Sequence, residues 1–300
     1  MKITISSNQS VITMSPNNAP AAKAMPGDTV CFETLNCYSE SIKTENDKMS
    51  LVPWDCINPA TGPLYVDGAQ PGDVLKVEIL SIELAPNGVM AIGPGAGVLG
   101  DVLQEERTKI LPISGGKVHF NDKISLPVQA MIGVIGTAPG EEEIPTGTPG
   151  VHGSNMDCKL IGEGSTLYLP VNTEGALLSM GDIHAAMGDG EIIICGVEAS
   201  GRITVRVDVV KGFSAHLPML LTEDRIVMLS SAKTLDEAAS DVTHKFHEFL
   251  CGMLGMEPHE AGMLLSAACD LRICQIVDPL CTVRMELPVW IARAYGFEMP

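Results

Sequence analysis

Regular alternation of apolar and polar side chains predicts β-structure for the first part of the chain. Between residues 203 and 209 every second residue is Ile or Val, and Thr, Arg and Asp stand between them. Successive side chains of a strand point to opposite faces, so this pattern predicts a half-buried antiparallel strand. Shorter apolar runs at 30–34 and 74–80 each follow a Pro-Gly-Asp turn. Many short strands separated by glycine- and proline-rich turns predict a mainly β fold, an antiparallel β-sandwich or barrel.

A helical period replaces this alternation near residue 233. Thr234 and Glu237 have the spacing of a capping box, which predicts a helix running from here to about Leu254. Its apolar stripe consists of Ala238, Val242, Phe246, Phe249 and Leu250. Pro258 suits the first turn of a second helix, which is predicted to reach roughly Cys269.

Two closing strands, 273–277 and 282–287, are predicted after the helices. We expect residues 1–230 to form the β-sandwich or barrel that carries the functional site. Residues 231–300 are expected to form a smaller helical α/β part, two helices plus the closing strands. Because no convincing linker divides the chain, we expect this part to pack on the β-rich part as one integrated unit.

Composition and charge narrow the class of function. Hydrophobic residues make up 45% and charged residues 19% of the 300, which is typical of a globular chain. Asp and Glu outnumber Lys and Arg by 37 to 19, and the net charge of −18 repels nucleic acids and anionic membranes. The sequence has no signal-peptide core and no apolar run long enough to span a bilayer. The nine cysteines, an odd number without a Cys-x-x-Cys motif, favour a reducing compartment, so we expect a cytoplasmic protein.

The segment GDIHAAMGDGE, residues 181–191, concentrates the candidate chemistry. Asp182 and His184 are two residues apart, so a strand would place both on one face. Asp189 and Glu191 repeat this spacing. A neutral imidazole beside carboxylates suits zinc or another divalent transition metal. A polar strand end at a glycine-rich turn would give the same short pattern, so spacing alone does not decide between the two.

Longer motifs stand in a fixed order along the chain. They read PGDTVCFET at 26–34, NPATGPLYVDGAQPGDVL at 58–75, GVIGTAPG at 133–140, PGVHGSNMD at 149–157, STLYLPV at 165–171 and GDIHAAMGDGE at 181–191. Together they resemble the acetamidase/formamidase family of amide hydrolases. The chain departs from that family's common residues at Asn36, Ser154 and Met187. The resemblance implies a mainly β barrel or sandwich with a smaller helical part. It also implies an enzyme that hydrolyses short aliphatic amides, formamide or acetamide, to a carboxylate and ammonia.

Amide hydrolysis needs an activated water, a polarised carbonyl and a protonated leaving group, and a divalent metal ion supplies the first two. Zinc is the expected cofactor, with calcium as the alternative. We expect Asp182 and His184 as metal ligands, with Asp157 or His152 as the next ligand. Asp157 belongs to one of the motifs that carry the family resemblance. His119, in a predicted hairpin, is a further candidate ligand.

A carboxylate is needed to carry protons from water to the leaving nitrogen. Glu142, in the acidic loop 141–143, is the favoured proton carrier, and Asp189 and Glu191 are the alternatives. Two asparagines are expected to bind the small amide through paired donor and acceptor groups, and an aspartate is expected to line the pocket. These residues are Asn36, Asn155 and Asp55.

Two other functions stay open at this point. The first is an amidase with a cysteine nucleophile paired with His152 or His184. The candidate thiols are those of Cys56, Cys158 and Cys195. The second is a non-catalytic β scaffold that binds cations for structure alone. Whichever applies, we expect a homodimer or larger homo-oligomer, since symmetric self-association is common among soluble proteins.

Overall fold

The computed structural model describes residues 3–300, most of whose regular structure is strand. The strands are β1 Ile3–Ile5, β2 Ser10–Val11, β3 Thr13–Met14, β4 Ala22–Ala24, β5 Thr29–Thr34, β6 Ala60–Val66, β7 Val74–Leu84, β8 Asn87–Ile92, β9 Arg107–Ser114, β10 Lys117–His119, β11 Ser125–Pro127, β12 Met131–Gly136, β13 Ile144–Pro145, β14 Gly153–Asn155, β15 Thr166–Pro170, β16 Leu178–His184, β17 Glu198–Ala199, β18 Gly201–Val210, β19 Met219–Leu221, β20 Arg225–Ala232, β21 Asp270–Gln275 and β22 Cys281–Pro288. The helices are α1 Leu235–Met253, α2 Pro258–Ala268 and α3 Val289–Ala294, and two short 3-10 helices span Met49–Leu51 and Trp54–Cys56.

Two large sheets form the body of the fold. One has nine strands in the order β1-β5-β18-β7-β15-β19-β20-β22-β21. The other has eleven strands: the order β11-β10-β9-β8-β17-β16-β12-β14 is extended by β6, which pairs with β16, β2 and β4. Most pairs are antiparallel, while β1 with β5 and β4 with β6 are parallel. The predicted fold class, mainly β with antiparallel sheets and a small C-terminal helical part, is confirmed.

The main core lies between the two sheets. Ile203, Val205 and Val207 of β18 are fully buried, whereas the residues between them are half-buried or exposed. Ile132 of β12 and Ile183 of β16 contribute to the same core from the other sheet. Full burial of such an aliphatic side chain contributes about 1.5–3 kcal/mol. The alternation that predicts β18 therefore also determines which face of the strand points into the sandwich.

The C-terminal part continues the nine-stranded sheet and covers it with helices. The side chain of Thr234 accepts a hydrogen bond from the backbone N–H of Glu237 at 3.2 Å, and the Glu237 carboxylate accepts one from the backbone N–H of Thr234, which confirms the capping box. All five residues of the predicted apolar stripe of α1 are buried. The boundary expected at residue 230 lies inside β20. None of the helices between residues 3 and 300 is both long and apolar enough to cross a membrane.

The sequence pattern does not predict α3, which is six residues long and begins directly after β22. A helix of this length has too few turns for an apolar period to be recognised.

Candidate metal centre

The end of β16 brings two of the expected metal ligands together. Nε2 of His184 lies 3.5 Å from Oδ1 of Asp182, and the two residues are 1% and 3% exposed. Ile183, between them, belongs to the main core. The two polar side chains thus lie on one side of the strand, and the apolar one lies on the other.

Gly133 of β12 lies between Ile132 and Val134, which pair with Ile183 and Gly181 on either side of Asp182. A Cβ atom at residue 133 would lie 2.4 Å from Oδ1 of Asp157 and 2.5 Å from Oδ2 of Asp182. Any side chain there would occupy the space of the two carboxylates. The glycine therefore allows both carboxylates to approach the same point over the sheet.

Four carboxylates surround Nε2 of His184. The nearest oxygens are those of Glu198 at 3.1 Å, Asp182 at 3.5 Å, Asp157 at 3.9 Å and Glu191 at 4.0 Å. None of these four acidic residues is more than 6% exposed. Donor atoms that share one tetrahedral zinc ion lie roughly 3.3–3.8 Å apart. The separations around His184 are close to those of a metal coordination shell.

Three of the acidic residues have backbones in the left-handed region, which side chains other than glycine rarely adopt. The φ angles are +43° at Asp157, +54° at Asp182 and +46° at Glu191. Such conformations cost of order 1–3 kcal/mol each and cluster at functional sites. Three of the four acidic residues whose carboxylates converge thus carry backbone strain.

Glu198 and Cys37 enter the cluster from other elements. Glu198 of β17 is the register partner of His184 across the pair of β16 and β17. Cys37 lies in the turn after β5, where the side chain of Asn36 accepts hydrogen bonds from two backbone N–H groups of the same turn. Asn36 therefore shapes the turn that presents the thiol.

Two groups of potential metal ligands result, and in each group the ligand atoms all lie within 4.8 Å of one another. The first group comprises Asp157, His184 and Glu191. The second comprises Cys37, Asp182 and Glu198. All of these side chains are buried.

The four carboxylates have too few basic partners. Although burial acts to lower the pKa of His184, the charges of Glu198 and Asp182 raise it well above its usual range, so a single imidazole serves four acids. Within residues 3–300, His184 is the only basic side chain with a nitrogen within 4 Å of them. Buried oxygens without a hydrogen-bond partner occur on all four acidic residues: both of Asp157, Oδ1 of Asp182, Oε2 of Glu191 and Oε2 of Glu198. Burying an ionised carboxylate costs several kcal/mol unless it is paired. The arrangement therefore fits a divalent cation.

The pKa values of the cluster follow from the same crowding. Burial, and then the charge of Asp278, raises the pKa of Asp157 well above its usual range. Burial, and then the charge of Asp157, does the same to the pKa of Glu191. Burial raises the pKa of Glu198 to about 7. Carboxyl groups that hold their protons in this way release them when a metal ion binds.

The loop between β21 and β22 places Asp278 beside the cluster. Oδ2 of Asp278 accepts a hydrogen bond of 2.8 Å from the side-chain amide of Asn155, while Oδ1 of Asn155 is buried without a partner. Burial, and then the charge of Glu191, raises the pKa of Asp278 well above its usual range. Asp278 as a whole residue is half-buried, so it stands at the edge of the cluster.

His152 lies in the loop before β14 and is 1% exposed. Burial lowers the pKa of His152 to about 4, so the ring is neutral at pH 7. Its Nε2 atom has no hydrogen-bond partner. In the described part of the chain no carboxylate oxygen lies within 4 Å of this ring, so His152 stands outside the shell around His184.

The sequence profile of the Acetamidase/Formamidase family matches residues 13–146 and 140–293. The chain belongs to the acetamidase/formamidase family.

Solved structures of this family are similar over the whole chain. The acetamidase of Bacillus halodurans is 47% identical with a TM-score of 0.97, covering 98% of this chain and 100% of that one. A predicted acetamidase/formamidase of Thermoanaerobacter tengcongensis is 43% identical with a TM-score of 0.98, covering 100% and 99%. The acetamidase of Mycolicibacterium smegmatis is 30% identical over 66% of this chain and 65% of its own length. The chain spans less than two thirds of the length of the curated relatives that it matches.

In this member of the family Asp189 lies apart from the cluster. The loop after β16 turns its carboxylate towards Arg284, which donates hydrogen bonds of 2.8 and 2.9 Å, and Lys159 lies 3.0 Å away. Asp189 and Glu191 therefore do not share a face, because residues 185–191 form a loop and not a strand. Asp189 takes part in an ion pair, whereas Glu191 joins the cluster around His184.

Three other expected site residues are exposed at the surface of the protein. Glu142 lies in the loop before β13, and Asp55 lies on the second 3-10 helix. The ring of His119 on β10 makes hydrogen bonds with two neighbouring serine hydroxyl groups, at 2.9 and 3.2 Å. The structure brings together four of the expected metal ligands and proton carriers: Asp157, Asp182, His184 and Glu191.

Cys37, Glu198 and Asp278 are the residues of the centre that the sequence pattern does not predict. Glu198 reaches His184 through strand pairing, and Asp278 comes from a loop near the other end of the chain. One signal is visible for Glu198: it is an acid that follows the apolar run 192–197 directly. A charged residue in such a context is rarely buried without a partner.

Proposed function

We propose that this protein hydrolyses short aliphatic amides, such as formamide and acetamide, to a carboxylate and ammonia with the help of a divalent metal ion. The observation that carries the proposal is the set of four buried carboxylates around His184, which have no Lys or Arg among them within residues 3–300 and only this one imidazole to balance them. Family membership and the names of the solved relatives, acetamidases, support amides as the substrate class.

Zinc is the metal that the donor set favours. Calcium takes oxygen ligands. Here the donor atoms include the imidazole nitrogen of His184, and the thiol of Cys37 lies beside them. Nitrogen and sulfur donors combined with carboxylates are typical of zinc. Asp157, His184 and Glu191 would hold the ion, with Asp182 and Glu198 beside them.

A divalent ion bound there would lower the pKa of a bound water and polarise the amide carbonyl. The chain itself has to orient the amide and move protons. The unpartnered Oδ1 of Asn155 is suited to accept a hydrogen bond from the amide NH2 group. Since Nδ2 of Asn155 already donates to Asp278, the substrate nitrogen and the Asp278 carboxyl group would both contact the side-chain amide of Asn155.

Asp278 is the residue best placed to carry the proton from water to the leaving nitrogen. It borders the cluster without belonging to either ligand group, and it is half-buried. Glu142 is exposed, and Asp189 is held by Arg284 and Lys159. The geometry therefore favours Asp278 over both as the proton carrier.

Burial limits the size of the substrate. Every ligand of the two groups is at most 6% exposed, and Asn155 is 3% exposed. A large acyl chain would have to displace packed core residues, whereas a formyl or acetyl group adds only one or two carbon atoms. Deep burial of the centre thus supports a short amide as the substrate.

A cysteine nucleophile is less compatible with the geometry. The thiol of Cys195 donates to the backbone oxygen of Ala91, and burial raises its pKa to about 12. A hydrogen bond with Cys274 and the charge of Arg284 lower the pKa of Cys158, but this thiol is fully buried in the main core. Cys56 lies beside Asp55 on the surface 3-10 helix. A nucleophilic cysteine needs a neighbouring base or positive charge to form the thiolate. A non-catalytic cation site remains the competing function.

The test is ammonia release from formamide, acetamide and propionamide, measured before chelation, after chelation and after zinc repletion. We expect activity to be lost with the metal and to return with zinc. His184→Ala should lose both zinc and turnover, whereas His259→Ala, a change at an exposed histidine of α2, should keep both. Turnover that survives verified removal of all metal would refute metal catalysis. A zinc-loaded protein that cleaves no amide would instead support the non-catalytic scaffold.

We also propose a homo-oligomer in a reducing compartment, the cytoplasm. All nine cysteines are free, which supports the compartment. Large exposed apolar side chains, among them Leu51, Trp54, Met263 and Trp290, support burial against another copy of the chain. Light scattering that reports a monomer at micromolar concentration would contradict the oligomer.

A further inference from the structure

We propose, on the basis of the metal centre proposed above, that it holds two metal ions side by side, the second bound by Cys37, Asp182 and Glu198. The thiol of Cys37 would be a metal ligand and not a nucleophile. The new site takes zinc or another transition metal with affinity for sulfur.

The number of donors is the first reason. Six buried side chains offer ligand atoms, and they fall into two groups of three whose atoms lie within 4.8 Å of one another. A catalytic zinc ion takes three protein ligands and keeps one position for water or substrate. Two groups of three therefore correspond to two ions of this kind.

The two groups adjoin each other. Nε2 of His184, in the first group, lies 3.1 Å from Oε1 of Glu198 and 3.5 Å from Oδ1 of Asp182, which belong to the second group. Glu198 also has a buried Oε2 atom without a hydrogen-bond partner, as has Asp182 at Oδ1. Each carboxylate has two oxygens, so a carboxylate at this boundary can bind an ion on either side.

Charge balance is an independent reason. The four carboxylates carry four negative charges when ionised, and His184 is neutral as a ligand. One divalent ion would leave two negative charges buried in the sandwich, which is costly in a medium of low polarity. Two divalent ions neutralise the four carboxylates, and a Cys37 thiolate then leaves only one negative charge.

Cys37 is placed for such a role. It is 6% exposed, and Asn36 fixes the turn that carries it. Its sulfur faces two carboxylates and no basic side chain in the described part of the chain that would favour a thiolate. A metal ion supplies that positive charge, and a thiolate ligand selects zinc over magnesium or calcium.

The experiment uses the full-length protein, stripped of metal with a chelator and titrated with Co2+, with the metal per chain measured by elemental analysis. We expect two ions per chain and a thiolate-to-cobalt charge-transfer absorption. Cys37→Ser should bind one ion per chain and lack this absorption. Cys31→Ser removes a buried thiol from β5, away from the cluster, and should keep both ions and the absorption.

Glu191→Gln is a second variant, which decides the matter should Cys37→Ser not fold. It removes a ligand of the first group, so it should bind one ion and retain the thiolate absorption. One ion per wild-type chain, or a wild-type cobalt spectrum without thiolate absorption, would overturn the second ion. Amide turnover with one ion per chain would do so while leaving the proposed function intact. Two ions per chain without amide turnover would support the two-ion centre and reject the function.

Discussion

Two clusters of acidic residues share one loop and differ in how their charge is balanced. Asp189 and Glu191 both follow β16. Asp189 meets Arg284, which is almost fully buried and also donates a 2.7 Å hydrogen bond to Glu286. Although burial acts to raise the pKa of Asp189, its hydrogen bonds to Arg284 and Lys159 lower it below its usual value. This cluster contains its own cations.

The cluster around His184 contains more acid and no Lys or Arg within residues 3–300. There the pKa of Glu191 is raised, as burial and the charge of Asp157 dictate. The comparison teaches that residue type alone does not identify a metal site. What separates the two clusters is how much positive charge the chain provides: Arg284 and Lys159 face Asp189, whereas His184 alone faces four carboxylates, which is the reason for proposing a metal ion there.

The sharpest test of this comparison changes one carboxylate to an amide in each cluster. Glu191→Gln should lower turnover at least about 100-fold, because it removes a metal ligand. In the metal-free state it should leave the free energy of unfolding unchanged or higher, since an uncompensated buried acid is lost. Turnover, metal content and thermal unfolding after chelation measure these effects.

Asp189→Asn should show the opposite behaviour. It leaves Arg284 buried without a full counter-charge, so the protein should lose about 2–3 kcal/mol of stability while it keeps its metal. This loss lies below the usual range of about 3–5 kcal/mol because the Asp189 side chain is 28% exposed. Equal loss of metal in both variants would remove the distinction between the clusters.

The second test is the pH dependence of stability in the metal-free protein. The pKa of Glu198 is about 7 in the folded state, above its ordinary value of 4.5. Its protonated form thus stabilises the fold below pH 4.5, and this contribution is lost as pH rises to about 7. Glu198→Gln should therefore stabilise the metal-free protein more at pH 8 than at pH 4.5, by up to about 3 kcal/mol.

Denaturant unfolding of both proteins at several pH values measures this difference. His152, whose pKa is lowered to about 4, titrates in both proteins and cancels in the comparison. With zinc added, Glu198→Gln should instead be less stable than the wild type, because the ionised carboxylate binds the metal and the amide binds it only weakly. A stability difference that does not change with pH would mean that folding does not raise the pKa of Glu198.

The third test introduces a methyl group next to the carboxylates around His184 and alters no charge. Gly133→Ala introduces a Cβ atom 2.4 Å from a carboxylate oxygen of Asp157, so one of the carboxylates has to move. We expect metal affinity to fall about tenfold and stability to fall by about 1–3 kcal/mol. Gly140→Ala is the matched control, since its Cβ atom would meet nothing closer than 3.6 Å. Equal metal affinity in the two variants would show that the carboxylates do not need this space.

The smallest expected effect concerns the ion pairs of Asp189 with Arg284 and Lys159. Lys159→Met removes the half-buried partner of Asp189 but leaves Arg284 in place. Partly exposed ion pairs contribute about 0–1 kcal/mol, so stability should fall by no more than that, and metal content should not change. A loss of 2 kcal/mol or more in denaturant unfolding would mean that Lys159, and not Arg284, balances Asp189.

Local patterns in the sequence predict the elements of the fold well, and part of the centre. The alternation of β18 and the capping box of α1 depend on neighbouring residues, and both are observed. Asp182 and His184 are two residues apart on β16, so their meeting is also local. Glu198 and Asp278 come from elements paired over long distances, which no spacing reveals. The run of glutamates at 141–143, which favours Glu142 in the sequence, is a solvated loop.

The position of Asp278 bears on how the protein is made. Cys37 and Asp278 lie near opposite ends of the chain, and the residues between them provide the rest of the centre. During synthesis the first sheet strands emerge long before the loop between β21 and β22 does. A ribosome-bound chain that has already formed much of its sandwich thus has no complete centre. The candidate centre is complete only once the final hairpin has paired with β20.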